Sequence, residues 1–322
     1  MRAVDLLHWF GPQRCAEVGR EAAWDYVRRL AWKSDENFSV LSALVPERLR
    51  DGFAAVYAYC RWSDDLADET GFDESARVRS LELLAWWRGE LHRAFEGDAT
   101  HPVFVPLAEV VHGFGLAREP FDHLLDAFEQ DQRVSRYKSW DEVLDYCRHS
   151  ADPVGRIVLA LGGVGDGSGD HELYRLSDAT CTALQLINFW QDVRRDLLER
   201  DRVYIPADDT AVTESDLRTW MERDRPEEKR VYSEAIAGLC ERTEALFVEG
   251  RALPMRLRST PAAELAPAVR LFGMGGEAIL ARVRATGCLS LWERPKLGKI
   301  AKGSLVLRAA VSRLLPPGGA AA

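Results

Sequence analysis

The chain has 322 residues, 47% of them hydrophobic, and a formal net charge of −9. That is ample apolar material for a large core. The acidic balance excludes a general nucleic-acid binder, because affinity for a phosphate backbone rests on a basic surface.

Met1 to Cys15 is a short apolar stretch carrying Asp5 and His8, with neither a basic start nor a small-residue cleavage site. It does not read as a secretory signal, so the expected location is the cytoplasm. Apolar residues then recur at helical spacing, while the alternation typical of strands is almost absent, and the fold class is all-α. The periodicity predicts helices over 17–33, 46–69, 75–96, 102–114, 119–132, 140–162, 171–199, 226–250, 261–286 and 298–314, in one helical domain. None approaches the roughly 20 apolar residues of a membrane-spanning helix.

Breaks fall at Glu96–Thr100, at the Gly-rich Gly162–Gly169 and at Pro206–Thr213. The Gly-rich loop lacks the Lys-Ser/Thr ending of a phosphate-binding loop and follows a helix, so it reads as a connection. Six cysteines without a C-x-x-C pair, most of them among apolar residues in helical stretches, read as buried free thiols in a reducing compartment. Seven histidines without ligand spacing leave oxygen as the only donor for a metal. A di-iron bundle needs two Glu-x-x-His motifs, and only Glu109 with His112 matches.

Two acidic rows carry the chemistry. In the segment Tyr57 to Glu69, steps of three and four put Arg61, Asp64, Asp65 and Asp68 on neighbouring positions of one helix face. Alone, such a row is more often a solvated surface stripe than a site. Phe53, Val56, Tyr57, Trp62, Leu66 and Ala67 make the same helix largely apolar, however, and clustered carboxylates there need a cationic partner. The second row, Gln185, Asn188, Asp192 and Asp196, advances by three, four and four. A polar network between helices is its alternative reading. Two rows of carboxylate and amide oxygens together suit hard magnesium ions, which keep several waters and bridge protein carboxylates to substrate phosphates.

These residues resemble the squalene/phytoene synthase family of head-to-head prenyl transferases. The markers are Glu36 to Val40, Leu44-Val45-Pro46, Tyr57 to Arg61 leading into Asp64 to Asp68, Tyr146-Cys147-Arg148, Pro153 to Arg156, the Gln185 to Asp196 row, and Arg202 to Pro206. Within the family, Ser150 to Arg156, Asn188 to Val193 and Arg294-Pro295-Lys296-Leu297 are similar to the bacterial hydroxysqualene synthases. One departure stands out: phytoene and dehydrosqualene synthases usually carry Arg before the second row's first Asp, and this chain has Gln191. Gln lacks the bidentate, charge-assisted phosphate bonds of Arg, which favours one bound diphosphate over two.

The resemblance implies an isoprenoid-synthase helical bundle with a central active-site cavity, over residues 33–303. A helical extension at 1–32 would precede it, and a basic helix with a disordered tail at 304–322 would follow. It implies magnesium-dependent conversion of presqualene diphosphate to hydroxysqualene, with no nicotinamide cofactor and a neighbouring oxidoreductase making squalene for hopanoids. Asp64, Asp68, Asp192 and Asp196 are then the principal metal ligands, supported by Asp65 and Asn188. Arg61, Tyr204 and Arg270 are candidates for the diphosphate, with Gln185, Ser39 and Gly155 also in the substrate site. Phe38, Tyr57, Tyr146, Phe189 and Trp190 are candidates for an aromatic wall around a carbocation, and Tyr146 and Asp152 for positioning the final water.

The sister reactions of presqualene-diphosphate, dehydrosqualene and phytoene synthases stay open, as does a non-catalytic scaffold of the same fold. A reductive squalene synthase is disfavoured by the lack of a dinucleotide fingerprint. Arg294 to Arg313 holds six basic and no acidic residues interleaved with apolar ones, which reads equally as a segment for peripheral contact with the inner membrane face or as a solvated terminal helix.

Overall fold

The computed structural model describes residues 2–33, 44–71, 73–165, 167, 170–298 and 305. They form helices α1 (Arg20–Lys33), α2 (Glu47–Asp68), α3 (Glu74–Glu96), α4 (Phe104–Phe114), α5 (Glu119–Asp131), α6 (Trp140–Ser150), α7 (Asp152–Leu161), α8 (Asp170–Glu199), α9 (Pro226–Gly250) and α10 (Ala266–Ala285). Extended structure among the described residues is confined to Arg14–Cys15 and isolated bridges. The expected 298–314 helix lies outside them apart from Gly298 and Leu305.

The expected helix over 140–162 is two helices. Ala151, at φ −122° and ψ −52°, separates α6 from α7, and Pro153 follows in the first turn of α7. Proline lacks the amide that would continue the helical ladder and clashes with the carbonyl four residues earlier, so the chain breaks just before it and Pro153 falls in a first turn, where it is tolerated. The Pro206–Thr213 break holds a single turn, Ala207–Thr210. After it a short helix at Glu214–Trp220, unforeseen from periodicity, is started by a capping box between Thr213 and Asp216.

The chain forms two compact units, Met1–Ser135 with Arg148–Gly165, and Arg136–Cys147 with Asp166–Ala322. In the first unit α2 is central, packed by α1, α3, α4, α5 and α7. Its inner face, Ala55, Ala58, Tyr59, Trp62 and Leu66, is almost wholly buried. Trp62 lies parallel to Trp87 of α3 with 5.2 Å between ring centroids, and His101 stands edge-on to both at 4.7 and 4.9 Å. Trp62 Nε1 donates to Tyr26 Oη, Trp87 Nε1 to Ser63 Oγ, and Tyr59 Oη to the Phe121 carbonyl, while His101 Nε2 is buried without a hydrogen-bond partner among the described residues. Burial pushes the His101 imidazole down to about 3, so it is neutral in this box.

In the second unit α8 packs against α9 and α10. Leu176, Ala183, Leu186, Ile187, Trp190 and Leu197 form its core face. The fit leaves no room for a methyl at two glycines. A Cβ on Gly250 of α9 would collide with the Thr180 side chain, and one on Gly276 of α10 would meet Leu184 at 2.6 Å and overlap the Phe247 ring. Gly276→Ala should therefore cost about 1–3 kcal/mol through overpacking, read as a lower urea midpoint.

Candidate active site

The first row lies on the outer face of α2. Asp64 and Asp68 are half-buried, whereas Asp65 is buried. Its Oδ2 accepts the Ala3 amide at 2.6 Å, and its Oδ1 is paired at 2.6 Å with Nη2 of Arg61, outside hydrogen-bond alignment. Burial raises the Asp65 carboxyl above its ordinary value, against the Ala3 and Arg61 contributions. Arg2 bonds Glu69 at 2.9 Å, so the turn Ala3–Leu6 is tied to the end of α2 at two points. Asp65, expected as a supporting metal ligand, thus anchors the N-terminal turn. Arg61, expected on a diphosphate, lies between Asp65 and Asp64, whose Oδ2 is 3.6 Å from Nη1. Tyr57 precedes Arg61 by one turn and is half-buried. Asp152 and Gly155, also of this unit, are buried in the first turn of α7. Phe38 and Ser39 lie outside the described residues.

The second row lies on α8. Asn188 is exposed, Gln185 and Asp192 are half-buried, and Asp196 is buried. Burial pushes the Asp196 carboxyl up to about 6, with Arg200 opposing and Asp192 reinforcing the shift. Arg200 Nη1 donates to Asp196 Oδ1 at 3.3 Å. Asp192 receives a two-pronged guanidinium from Arg294, Nη2 to Oδ2 at 2.9 Å and Nε to Oδ1, and Arg195 stands 3.7 Å away. Gln191, one position earlier, is buried and donates to the Pro295 carbonyl at 2.6 Å.

One turn before Asp192, Phe189 stacks face to face on Tyr204, with 3.7 Å between centroids and 6° between planes. Tyr146 adjoins both, and Tyr137 lies over Tyr204 at 5.5 Å. Trp190, also expected in this wall, points into the core and donates to Thr243 Oγ1. Arg270 is exposed on α10 and pairs with no carboxylate among the described residues.

The segment carrying Tyr204 is pinned by a network remote in sequence. Asp201 adopts φ +52°, an unfavourable backbone for a non-glycine residue. Its carboxylate accepts from Arg136 at 2.8 Å and Arg218 at 2.7 Å. Glu214 takes the other arms, from Arg136 at 2.6 Å and Arg218 at 2.7 Å. Arg136 also pairs with Val203 as a parallel bridge, and the Ala207 amide donates to the Tyr137 carbonyl. Tyr137, the Arg136 network and Arg294's place on Asp192 were not legible in the sequence as site features. Arg136–Ser139 has no apolar period, and the Arg294–Asp192 pair spans 102 positions.

Among the described residues no three or more acidic, histidine or cysteine side chains are grouped to enclose an ion. The rows offer carboxylate and amide oxygens, the donor type that suits a hard divalent ion completing its shell with water.

The squalene/phytoene synthase family model matches residues 31–301. This chain belongs to the squalene/phytoene synthase family. It is 34% identical over 227 residues to the hydroxysqualene synthase of Rhodopseudomonas palustris, covering 70% of this chain and 72% of that one. It is 36% identical over 182 residues to that of Zymomonas mobilis, covering 54% of this chain and 56% of the relative, so this match spans little more than half the relative's length. The phytoene synthase of Thermus thermophilus is 31% identical over 307 residues, 92% of this chain and 96% of that one. Among solved structures, squalene synthase HpnC from Alicyclobacillus acidocaldarius superposes with a TM-score of 0.72 at 41% identity, over 83% of this chain and 95% of that one. The helical fold expected from the sequence is that of this family. Among the described residues no helix is long and apolar enough to cross a membrane.

The Glu214 carboxyl is held down to about 2, from an ordinary 4.5, by its bonds to Arg136 and Arg218. A depressed carboxyl stabilises the fold above its ordinary value, and that contribution is lost as pH falls toward 2. Glu214→Gln should therefore lower the urea midpoint most near pH 7, with the gap to wild type closing progressively below about pH 4.5.

Proposed function

We propose that the chain converts presqualene diphosphate to hydroxysqualene, releasing diphosphate and capturing the rearranged carbocation with water. The observation that carries this reading is the adjacency, on α8, of a carboxylate row and the stack of Phe189, Tyr204, Tyr146 and Tyr137. The reaction needs a group that holds diphosphate and a surface that tolerates a carbocation near each other. Aromatic faces stabilise positive charge without offering a strong nucleophile.

Asp192 and Asp196, with Asn188, are assigned as magnesium ligands in the second unit, and Asp64 and Asp68 in the first. Bound magnesium would draw charge from the leaving diphosphate. Arg61, Tyr204 and Arg270 are assigned to diphosphate oxygens, the arginines through charge-assisted bonds. Tyr57, Gln185 and Gly155 are assigned to the substrate chain, together with Phe38 and Ser39, and Tyr146 and Asp152 to the quenching water. The balance is closed: one water enters, a C–O bond to carbon forms, and diphosphate leaves with the proton of that water. No reductant is consumed, so a separate oxidoreductase must act on the alcohol to reach squalene, for hopanoids. The hydroxysqualene synthases at 34–36% identity support this choice within the family, as does the commitment of Gln191 to a backbone carbonyl where sister enzymes carry Arg. A C30 substrate also favours a cytoplasmic protein working at the inner membrane face, docked through the basic Arg294–Arg313 stretch.

Purified protein incubated with presqualene diphosphate and Mg2+, without nicotinamide cofactor, should yield hydroxysqualene by mass spectrometry. A chelator should abolish the product, and Asp192→Asn should lower kcat/KM by at least about 100-fold. Condensation of two farnesyl or geranylgeranyl diphosphates without turnover of presqualene diphosphate would replace this reading with a sister synthase. Inertness toward every substrate would leave the scaffold.

A further inference from the structure

Beyond α10 the chain turns back along α8. Gly287 and Cys288 take consecutive left-handed conformations, at φ +69° and +57°. Leu291 is then buried, Trp292 Nε1 donates to the Arg223 carbonyl at 2.9 Å, and Arg194 Nη1 reaches the Met221 carbonyl at 3.3 Å and the Leu291 carbonyl at 3.5 Å. Residues 291–296 thus form a strap over α8. Two adjacent α8 residues receive it in different ways: Gln191 holds its backbone through the Pro295 carbonyl, and Asp192 receives its charge from Arg294.

The order of cause runs from Gln191. Its amide is buried and its acceptor is a buried proline carbonyl, whereas the Arg294 side chain is 42% exposed and conformationally costly to fix on its own. Proline also restricts the backbone of the residue before it to extended geometry. A carbonyl fixed at Pro295 therefore fixes the direction in which Arg294 leaves the chain. A guanidinium and a divalent cation are alternative partners for one carboxylate, since both seek the same oxygens and repel each other.

We propose that Gln191 is a positioning residue that, by holding the 291–296 strap at Pro295, keeps Arg294 on Asp192 as an internal cation which a divalent ion must displace. This rests on the reading of Asp192 as a magnesium ligand given above. Gln191 then acts on metal affinity without touching metal or substrate. Exchanging it for Arg, as in the sister enzymes, changes both the hold on the strap and the charge beside Asp192.

The test is a cycle of four full-length proteins: wild type, Gln191→Met, Arg294→Met and the double variant. Each is titrated with Mn2+ alone, following the free ion by electron paramagnetic resonance, while hydrogen–deuterium exchange follows the 291–296 amides. Gln191→Met should speed exchange in the strap and tighten Mn2+ binding, by up to about fivefold, the equivalent of a partly exposed ion pair. Arg294→Met, on the exposed rim and safe for folding, should tighten binding at least as much. The double variant should bind like Arg294→Met alone, because Gln191 acts only through Arg294. Additive effects, unchanged affinity in Arg294→Met, or no Mn2+ binding by any of the four would overturn the proposal. If these fail while Mg2+-dependent turnover of presqualene diphosphate holds, the proposal falls alone. Loss of turnover with the Mn2+ shifts intact would instead sink the catalytic reading.

Discussion

A carboxylate on a helix whose other faces are buried must be met by positive charge, and this requirement shapes both acidic rows. Asp65 is met by the Ala3 amide and Arg61, Asp192 by Arg294, and Asp196 by Arg200. The compensation is incomplete. Burial holds the carboxyls of both Asp65 and Asp196 above their ordinary values despite these partners. That residual cost is borne by the folded protein. The cores of the two units exist, in this sense, to present the rows: the Trp62–Trp87–His101 box turns α2, and the glycine contacts of α9 and α10 turn α8.

What the sequence made legible was everything carried by period. The long helices α2, α3, α8 and α9 fall within a residue or so of their expected limits, because apolar spacing and local caps decide them together. Asp73 opens α3, and Gly97 at φ +83° closes it. Both acidic rows sit on the helices that their spacing indicated. Phe189, Tyr146 and Tyr204, chosen separately as aromatic or phosphate-binding candidates, meet in one stack.

The remainder depends on contacts that no local pattern encodes. The hinge at Ala151 was signalled by Pro153, yet the apolar period continues across it and masks the break. Asp65 and Asp64 are indistinguishable by spacing, and only the return of Ala3 to α2 separates an anchored carboxylate from those left on the row. Gln191 read as an absence of charge; its partner, the Pro295 carbonyl, lies 104 residues away and belongs to a backbone atom that has no sequence signature. Contrary to their reading as buried thiols, Cys15 is exposed in the short extended pair Arg14–Cys15, and Cys60 and Cys181 are half-buried because helical apolar stretches also have outer edges.

The close approach of α9 and α10 to α8 at Gly250 and Gly276 has an evolutionary corollary. A helix gripped by neighbours without a methyl's clearance can neither slide nor roll, so its registry with the carboxylate row is a fixed datum shared by any descendant that keeps those glycines. Variation would then fall on the side chains of the exposed flank of α8 rather than on its placement. Diversification within such a lineage should be a matter of upholstery on an unmoving frame.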